Sequence, residues 1–315
     1  MDAAVIEEYG TPRWRSFDEP VAGAGAVVVK VHAAGVNPVD LAKAAGTFYE
    51  GRARVPFVAG GEGVGTVDGG RRVYFDATIH PFGSMAQLAL ARAEELTDVA
   101  DGCDDALAVA LGVSGLAAWL PLAWRAQLQP GETVLVLGAT GVLGLVAVQA
   151  AKLLGAGRVV AAGRDADALA RAEELGADAT VRFADDTAST DLTGAFRAAA
   201  GGDVDVVIDP LWGEPAVAAI GALGTGGRAV QIGQSAGAVA SVASAAIRGK
   251  LVDIRGYTNF LVPHEVKAEA HRTMTAHAAA GRLTVDIDRL PLREVEQAWE
   301  RQKAGTHGRK LVLIP

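Results

Sequence analysis

Residues 132 to 152, ETVLVLGATGVLGLVAVQAAK, decide how the chain is read. From Thr133 to Ala151 there are nineteen residues without a charge, with glycines at 138, 141 and 144. Length alone would permit a membrane-spanning helix. Two other nineteen-residue windows, 106 to 124 and 229 to 247, are also uncharged. The first holds Gly112, Gly115 and Pro121, and the other is rich in Ser, Ala and Gly, so all three are poor bilayer segments. Strand-turn-helix units buried on both sheet faces produce the same pattern. In that reading, TVLVL (133 to 137) is a buried parallel strand and VLGLVAVQAAKLLGA (142 to 156) is a helix ending at Gly155. The glycines fall at the junction. Such a turn directs backbone N–H groups and the positive end of a helix dipole outward, which suits a pyrophosphate.

Composition narrows the function classes. The chain has 315 residues, half of them apolar, enough for two domains with full cores. A formal charge of −8 and a pI near 5.3 argue against general affinity for nucleic acid or anionic lipid. One cysteine, Cys103, excludes an internal disulfide and a Cys-rich zinc cluster, and it fits a reducing cytoplasm. The acidic opening MDAAVIEEYG lacks the basic and apolar segments of a secretion signal.

Beyond the glycine turn the chain keeps alternating. Strand-like RVVAAG (158 to 163), helical DADALARAEELGA (165 to 177), strand-like DVDVVIDP (203 to 210), helical EPAVAAIGAL (214 to 223) and strand-like GRAVQIG (227 to 233) and KLVDIRGY (250 to 257) predict a doubly wound parallel sheet. The glycine pattern is Ala139-x-Gly141-x-x-Gly144 with an extra Gly138, a variant of GxGxxG. The cofactor-facing turn residues are then Thr140, Gly141, Val142 and Leu143. The residue that reads the adenosine ribose ends the second strand, and nineteen steps past Gly144 lies Gly163. An acid there would favour NAD, whereas Gly163 leaves space and Arg164 offers a fork for a 2′-phosphate, so NADPH is expected.

The N-terminal part is organised differently. Strand-like pieces at 3 to 9, 26 to 36, 62 to 75 and 84 to 91 are separated by Gly, Pro and Asp turns, with helical PVDLAKAAG (38 to 46) between them. They predict a mostly antiparallel, barrel-like domain. The tail, helical at 292 to 304 and strand-like at 310 to 315, is expected to return to it.

Taken in order, AAGVNPVDLAKAAGTFY (33 to 49), VPFVAGGEGVGTV (55 to 67), LQPGETVLVLGATGVLG (128 to 144), VDVVIDPLWG (204 to 213), GRAVQIG (227 to 233) and GRKLVLIP (308 to 315) resemble the medium-chain dehydrogenase/reductase superfamily, in its zinc-free quinone oxidoreductase branch. The resemblance covers nearly the whole chain. It implies an α/β protein with a GroES-like catalytic domain (1–112 and 259–315), a Rossmann NADP-binding domain (113–258) and an active site in the cleft between them. It also implies a homodimer formed by pairing cofactor-domain sheet edges.

Where zinc alcohol dehydrogenases carry a cysteine ligand this chain has Asn37, and where they carry the histidine of a GHE motif it has Gly61, followed by Glu62. His271 and His277, six apart on an expected helix, do not have the usual spacing for one metal. No zinc is expected. The chemistry is then direct hydride transfer to an electrophilic quinone or conjugated enone, with the protein supplying orientation and electrostatics. The resemblance places Asn37, Asp40 and Tyr49 around the site. Asn37 would donate to the reduced oxygen, and Tyr49 would line the nicotinamide site or donate a proton. Equally, Asn37-Pro38 shapes a turn, Asp40 caps a helix, and Tyr49 is a rim aromatic whose neighbour Phe48 takes its place. Backbone at Ile232, Gly233 and Gln234 would approach the nicotinamide.

Three other readings stand beside this one. Enoyl-thioester reduction is the same hydride chemistry on another acceptor. Gly233-Gln234-Ser235-Ala236-Gly237 matches GxSxG, with Asp288 and His307 following in the order of an α/β-hydrolase. A non-catalytic NADPH-binding protein is the third.

Overall fold

A computed structural model describes residues 1–49, 51–184 and 188–315. The chain separates into two units, Met1–Ser114 with Pro263–Pro315, and Gly115–Val262. Among the described residues no helix is long and apolar enough to cross a membrane.

The first unit opens with β1 (Asp2–Ile6), β2 (Arg13–Ser16) and β3 (Ala26–Gly35), then α1 (Pro38–Ala44). It continues through β4 (Phe57–Val58), β5 (Gly63–Thr66), β6 (Arg72–Phe75), β7 (Leu88–Arg92), β8 (Thr97–Asp98) and α2 (Asp105–Ala110). The chain then enters α3 (Val113–Leu120) and a π-helical turn, Pro121–Ala126. The first uncharged window therefore becomes short helical segments, interrupted at Leu111 and Gly112 and changing to the π-helical turn at Pro121.

The second unit alternates strictly. It runs β9 (Thr133–Leu137), α4 (Val142–Leu153), β10 (Arg158–Gly163), α5 (Ala166–Glu174), β11 (Ala179–Arg182) and α6 (Ser189–Ala200). Then come β12 (Val204–Asp209), α7 (Gly213–Ala222), β13 (Leu223–Gln231), α8 (Ser244–Arg248) and β14 (Asp253–Gly256). All its strand pairs are parallel, in the order β11-β10-β9-β12-β13-β14. Counted from β9 this is 3-2-1-4-5-6, the Rossmann order, with its reversal between β9 and β12. Both faces of β9 are covered, which is why TVLVL carries no polar alternation. Leu135, Val160, Phe196, Val207 and Ile220 form the core here.

The first unit resumes with α9 (His264–Ala279), β15 (Ile287–Pro291), α10 (Val295–Ala304) and β16 (Lys310–Ile314). As expected, the tail returns: Val312 and Leu313 of β16 pair antiparallel with Gly35 and Ala34 of β3. The seven-stranded sheet is ordered β15-β16-β3-β5-β6-β8 with β7 also on β3, and the three-stranded sheet is β2-β1-β4. Apart from the β15–β16 pair, these ladders are antiparallel. The predicted α/β class, a doubly wound sheet plus a mostly antiparallel domain, holds. β11 and α6 fall between 178 and 202, where the sequence pattern predicts no element.

Candidate active site

At the β9–α4 turn, Gly138 adopts φ +60, a left-handed conformation that glycine supplies without strain. Its carbonyl accepts from the Gly141 N–H at 3.1 Å, and Gly141 caps α4. The first intrahelical bond runs from the Leu145 N–H to the Gly141 carbonyl, so the N–H groups of Val142, Leu143 and Gly144 precede the helical ladder. A Cβ on Gly144 would collide with the Gly138 carbonyl and the Ala139 Cα. The third glycine is therefore a packing requirement between helix and turn.

Beside this turn lies a groove of about 310 Å³ whose lining includes Gly138, Thr140, Gly163, Arg164, Phe183 and Ser235. Thr140, Gly163 and Arg164 are brought together in its lining. Gly141, Val142 and Leu143 form the helix start next to it. Ile232, Gly233 and Gln234 follow β13, with the Ile232 N–H bonded to the Asp209 carbonyl at 2.8 Å, and the groove wall there is Ser235 and Ala236 instead.

Packing constrains Gly163. It lines the groove, and a Cβ there would run into the Thr140 methyl. Close packing of Thr140 against the end of β10 explains the glycine. Arg164 is exposed, and its carbonyl accepts from the Arg182 Nε at 3.0 Å, so Arg182 braces the backbone that carries Arg164.

Asp209, which no sequence motif singles out, is 2% exposed at the end of β12. Its Oδ1 accepts from the N–H groups of Leu211 and Trp212, both at 2.9 Å. Burial pushes its carboxyl up to about 6 against the pull of those two N–H donors. The bonds hold the loop at Trp212, a residue at φ +57, and that loop places Leu211 in the groove wall.

In the first unit, Asn37 is 2% exposed and its amide is engaged at both ends. Nδ2 donates to Glu62 Oε1 at 2.7 Å, while Oδ1 accepts from Lys310 Nζ at 2.5 Å and from Ser114 Oγ at 3.3 Å. Lys310 Nζ also lies 3.1 Å from Glu62 Oε1. Glu62 is fully buried, its other oxygen accepting from the Val113 N–H at 2.5 Å and the Tyr74 hydroxyl at 3.2 Å. The carboxylate fits only because Gly35 and Gly112 lack side chains, since a Cβ on either would overlap it. Asn37 thus sits inside a hydrogen-bonded cluster with Lys310 and Glu62. Sequence reasoning misses both Glu62 and Lys310 as site residues, because nothing in a 248-residue separation signals that they meet.

Asp40 occupies the N3 position of α1, where it closes a capping box: Oδ2 accepts from the Asn37 N–H at 2.9 Å. Oδ1 accepts from the Gly61 N–H at 3.2 Å. Burial and then the nearby Glu62 charge push its carboxyl up to about 6. It borders a cleft of about 350 Å³ that Phe48 also lines. Tyr49 is 72% exposed with its ring 4.4 Å from that of Phe48, and of these two neighbours Phe48 is the one in the cleft wall.

His271 and His277 have different partners. His271 stacks on Tyr74 at 4.1 Å and its Nε2 bonds the Ala108 carbonyl at 2.9 Å. Burial drives it down to about 4, so it is neutral near pH 7. His277 Nδ1 pairs with Arg282 Nε at 3.1 Å. Among the described residues no group of three or more His, Cys, Asp or Glu is arranged to hold a metal ion.

The hydrolase reading fails on local geometry. A nucleophile elbow needs a strand running through a sharp turn directly into a helix. Here β13 ends at Gln231, no helix begins until Ser244, and Ser235 Oγ donates to the Pro210 carbonyl at 3.3 Å. Asp288 is held by the guanidinium groups of Arg309 and Arg301 instead of orienting an imidazole.

Comparison with known proteins agrees with this architecture. Residues 23–101 match the alcohol dehydrogenase GroES-like domain, and residues 142–275 match the zinc-binding dehydrogenase family. Quinone oxidoreductase-like protein 2 of Bos taurus is 32% identical over 231 residues, 69% of this chain and 63% of that protein. A phenolphthiocerol/phthiocerol polyketide synthase component of Mycobacterium tuberculosis is 31% identical over 312 residues. That match covers 91% of this chain but only 13% of the synthase polypeptide. The Thermus thermophilus quinone oxidoreductase, solved alone and with NADPH, superposes with a TM-score of 0.83 at 29% identity, covering 100% of both chains. The chain belongs to the medium-chain dehydrogenase/reductase superfamily, in its quinone oxidoreductase-like branch.

Proposed function

We propose that the chain is an NADPH-dependent oxidoreductase that passes a hydride to a quinone or an α,β-unsaturated carbonyl without a catalytic metal. The observation that carries this reading is the glycine turn at the reversal point of a 3-2-1-4-5-6 parallel sheet, with Thr140, Gly163 and Arg164 converging on one groove. The residues fit the cofactor. The N–H groups of 142 to 144 and the α4 dipole suit a pyrophosphate, and Arg164 suits a ribose phosphate. The NADPH complex of the Thermus relative supports the same choice.

NADPH supplies the hydride when bound, and a conjugated acceptor is electrophilic enough to take it without a Lewis acid. The chain's part is then to bind, orient and exclude water. Asp209 fixes the loop at the groove, and Lys310 and Glu62 fix Asn37. Metal independence is supported by the chemistry of this cluster: at the position of the zinc branch's cysteine an amide answers to an ammonium and a carboxylate of the same chain. The open edge of β14, with Ile254 exposed, suits the sheet-edge homodimer implied by the family. The buried thiol of Cys103 suits a cytoplasmic setting.

The match to a polyketide synthase over 91% of the chain favours a second reading, reduction of an enoyl thioester. A substrate panel separates them. The protein is given NADPH with a benzoquinone, an enone or an enoyl thioester, and cofactor consumption is followed. Turnover of the quinone or enone is expected. Turnover of the thioester alone transfers the assignment, and absence of turnover with every acceptor defeats the oxidoreductase reading.

A further inference from the structure

The cleft bordered by Asp40 has a chemical character that a neutral quinone would not use. Gly61 is part of its lining, and a Cβ there would stand 3.8 Å from Asp40 Oδ1 and 3.9 Å from Lys43 Nζ, both ordinary contact distances. A missing side chain therefore opens room between a carboxyl and an ammonium. Asp40 is directed beneath the surface, 4% exposed, with its oxygens on the N–H groups of Asn37 and Gly61.

Among the described residues, the other charged lining groups are basic. Lys43 Nζ lies 5.3 Å from the centroid of the Phe48 ring. Arg52 is steadied by its Nε bond to the Gly46 carbonyl at 3.0 Å and by the Tyr9 ring 5.7 Å away. Phe48, Phe57 and Phe82 supply flat apolar walls. In a chain of net charge −8, the described lining of this cleft sets an ammonium and a guanidinium against the one carboxyl of Asp40, beside aromatic walls. Such a combination favours a flat ring carrying a negative group, since the basic groups give charge-assisted bonds and the rings give contact area. A volume of about 350 Å³ is in the range of small-ligand pockets.

We propose that this cleft receives the hydride acceptor, and that the preferred acceptor is a planar conjugated ring bearing an anionic substituent held by Lys43 and Arg52. The proposal rests on the oxidoreductase reading for the word acceptor, but the binding preference stands by itself.

Two measurements keep those claims apart. The first is calorimetric binding of 2-naphthalenesulfonate, which cannot be reduced by hydride, against neutral 2-naphthalenemethanol. The sulfonate is expected to bind roughly tenfold more tightly, to lose that advantage in Arg52→Gln and Lys43→Gln, and to weaken with added salt, while the neutral probe changes less than about twofold. Both side chains lie at least partly in solvent, so the variants should fold, and the salt series on the unmodified protein needs no variant. Equal affinity for the two probes, or equal loss of both in the variants, overturns the proposal.

The second compares NADPH consumption with 1,4-naphthoquinone and with its sulfonated counterpart, expecting a lower KM for the latter that rises in the same variants. Sulfonate-selective binding with no turnover of either quinone would leave the anion site standing and defeat the oxidoreductase reading. Turnover of both quinones with the same KM, and no selectivity in binding, would do the reverse.

Discussion

The Lys310 ammonium stands 3.1 Å from the Glu62 carboxylate, with the two side chains 2% and 0% exposed. A buried pair of this kind is a poor source of net stability, yet removing one partner strands the other charge. Lys310→Met should therefore destabilise the protein by about 3–5 kcal/mol. Adding Glu62→Gln should restore most of that loss, because glutamine can still accept from the Val113 N–H without a charge. Urea unfolding of both variants measures this, and an additive double variant would contradict the coupling.

Gly163 is held to glycine by the Thr140 methyl. Gly163→Ala should cost about 1–3 kcal/mol by overpacking, and it should weaken NADPH binding because the distorted residues line the groove. Thr140→Ser, which deletes the offending methyl, should return most of both in the double variant. Thermal unfolding with a cofactor titration reads the two effects. Gly163→Asp carries the same clash, so it is not a clean route to NADH use.

Asp209 links pH to stability. Its native carboxyl titrates near 6, above the ordinary value of 3.8, so between those values the native state holds a proton that the unfolded chain has lost. Its contribution to stability is therefore present at low pH and falls as pH rises through about 6. Asp209→Asn keeps an oxygen for the Leu211 and Trp212 N–H groups without the buried charge. The variant should match the parent near pH 4 and exceed it at pH 8 by up to about 3 kcal/mol, from roughly 1.4 kcal/mol per pKa unit. Melting temperatures across that range test this, and a constant difference would refute it.

Cofactor choice depends on the end of β10. Arg164→Ala should raise the KM for NADPH about tenfold or more, the loss of a charge-assisted pair, while NADH kinetics barely change. Arg182→Ala should have a smaller effect in the same direction, since its Nε holds the Arg164 carbonyl and not the ligand directly. An unchanged ratio of kcat/KM for the two cofactors in both variants and in their combination would place phosphate recognition elsewhere.

These residues also show what a sequence exposes. β9 and β10 are legible to the residue, because strands buried on both faces and bounded by glycine turns leave a contiguous apolar run. β11 and α6 are not, because β11 has only four residues, one of them buried, at a sheet edge. Local chemistry serves Asp40, whose capping role follows from a three-residue spacing. It cannot serve Lys310, which looks like an ordinary lysine at the start of the last strand until β16 pairs with β3 beside Asn37. The spacing past Gly144 points to Gly163, but not to the Thr140 methyl packed against it, which belongs to the turn after another strand.

The most direct test of the central claim is hydride transfer by metal-free protein. The chain is exhaustively chelated, its zinc content is measured, and NADPH consumption is followed with a quinone acceptor. The expected result is full turnover with less than stoichiometric zinc and no gain on adding zinc back. Loss of activity on chelation with recovery on zinc addition would contradict metal-independent transfer, and NADPH that is never consumed would contradict the oxidoreductase itself.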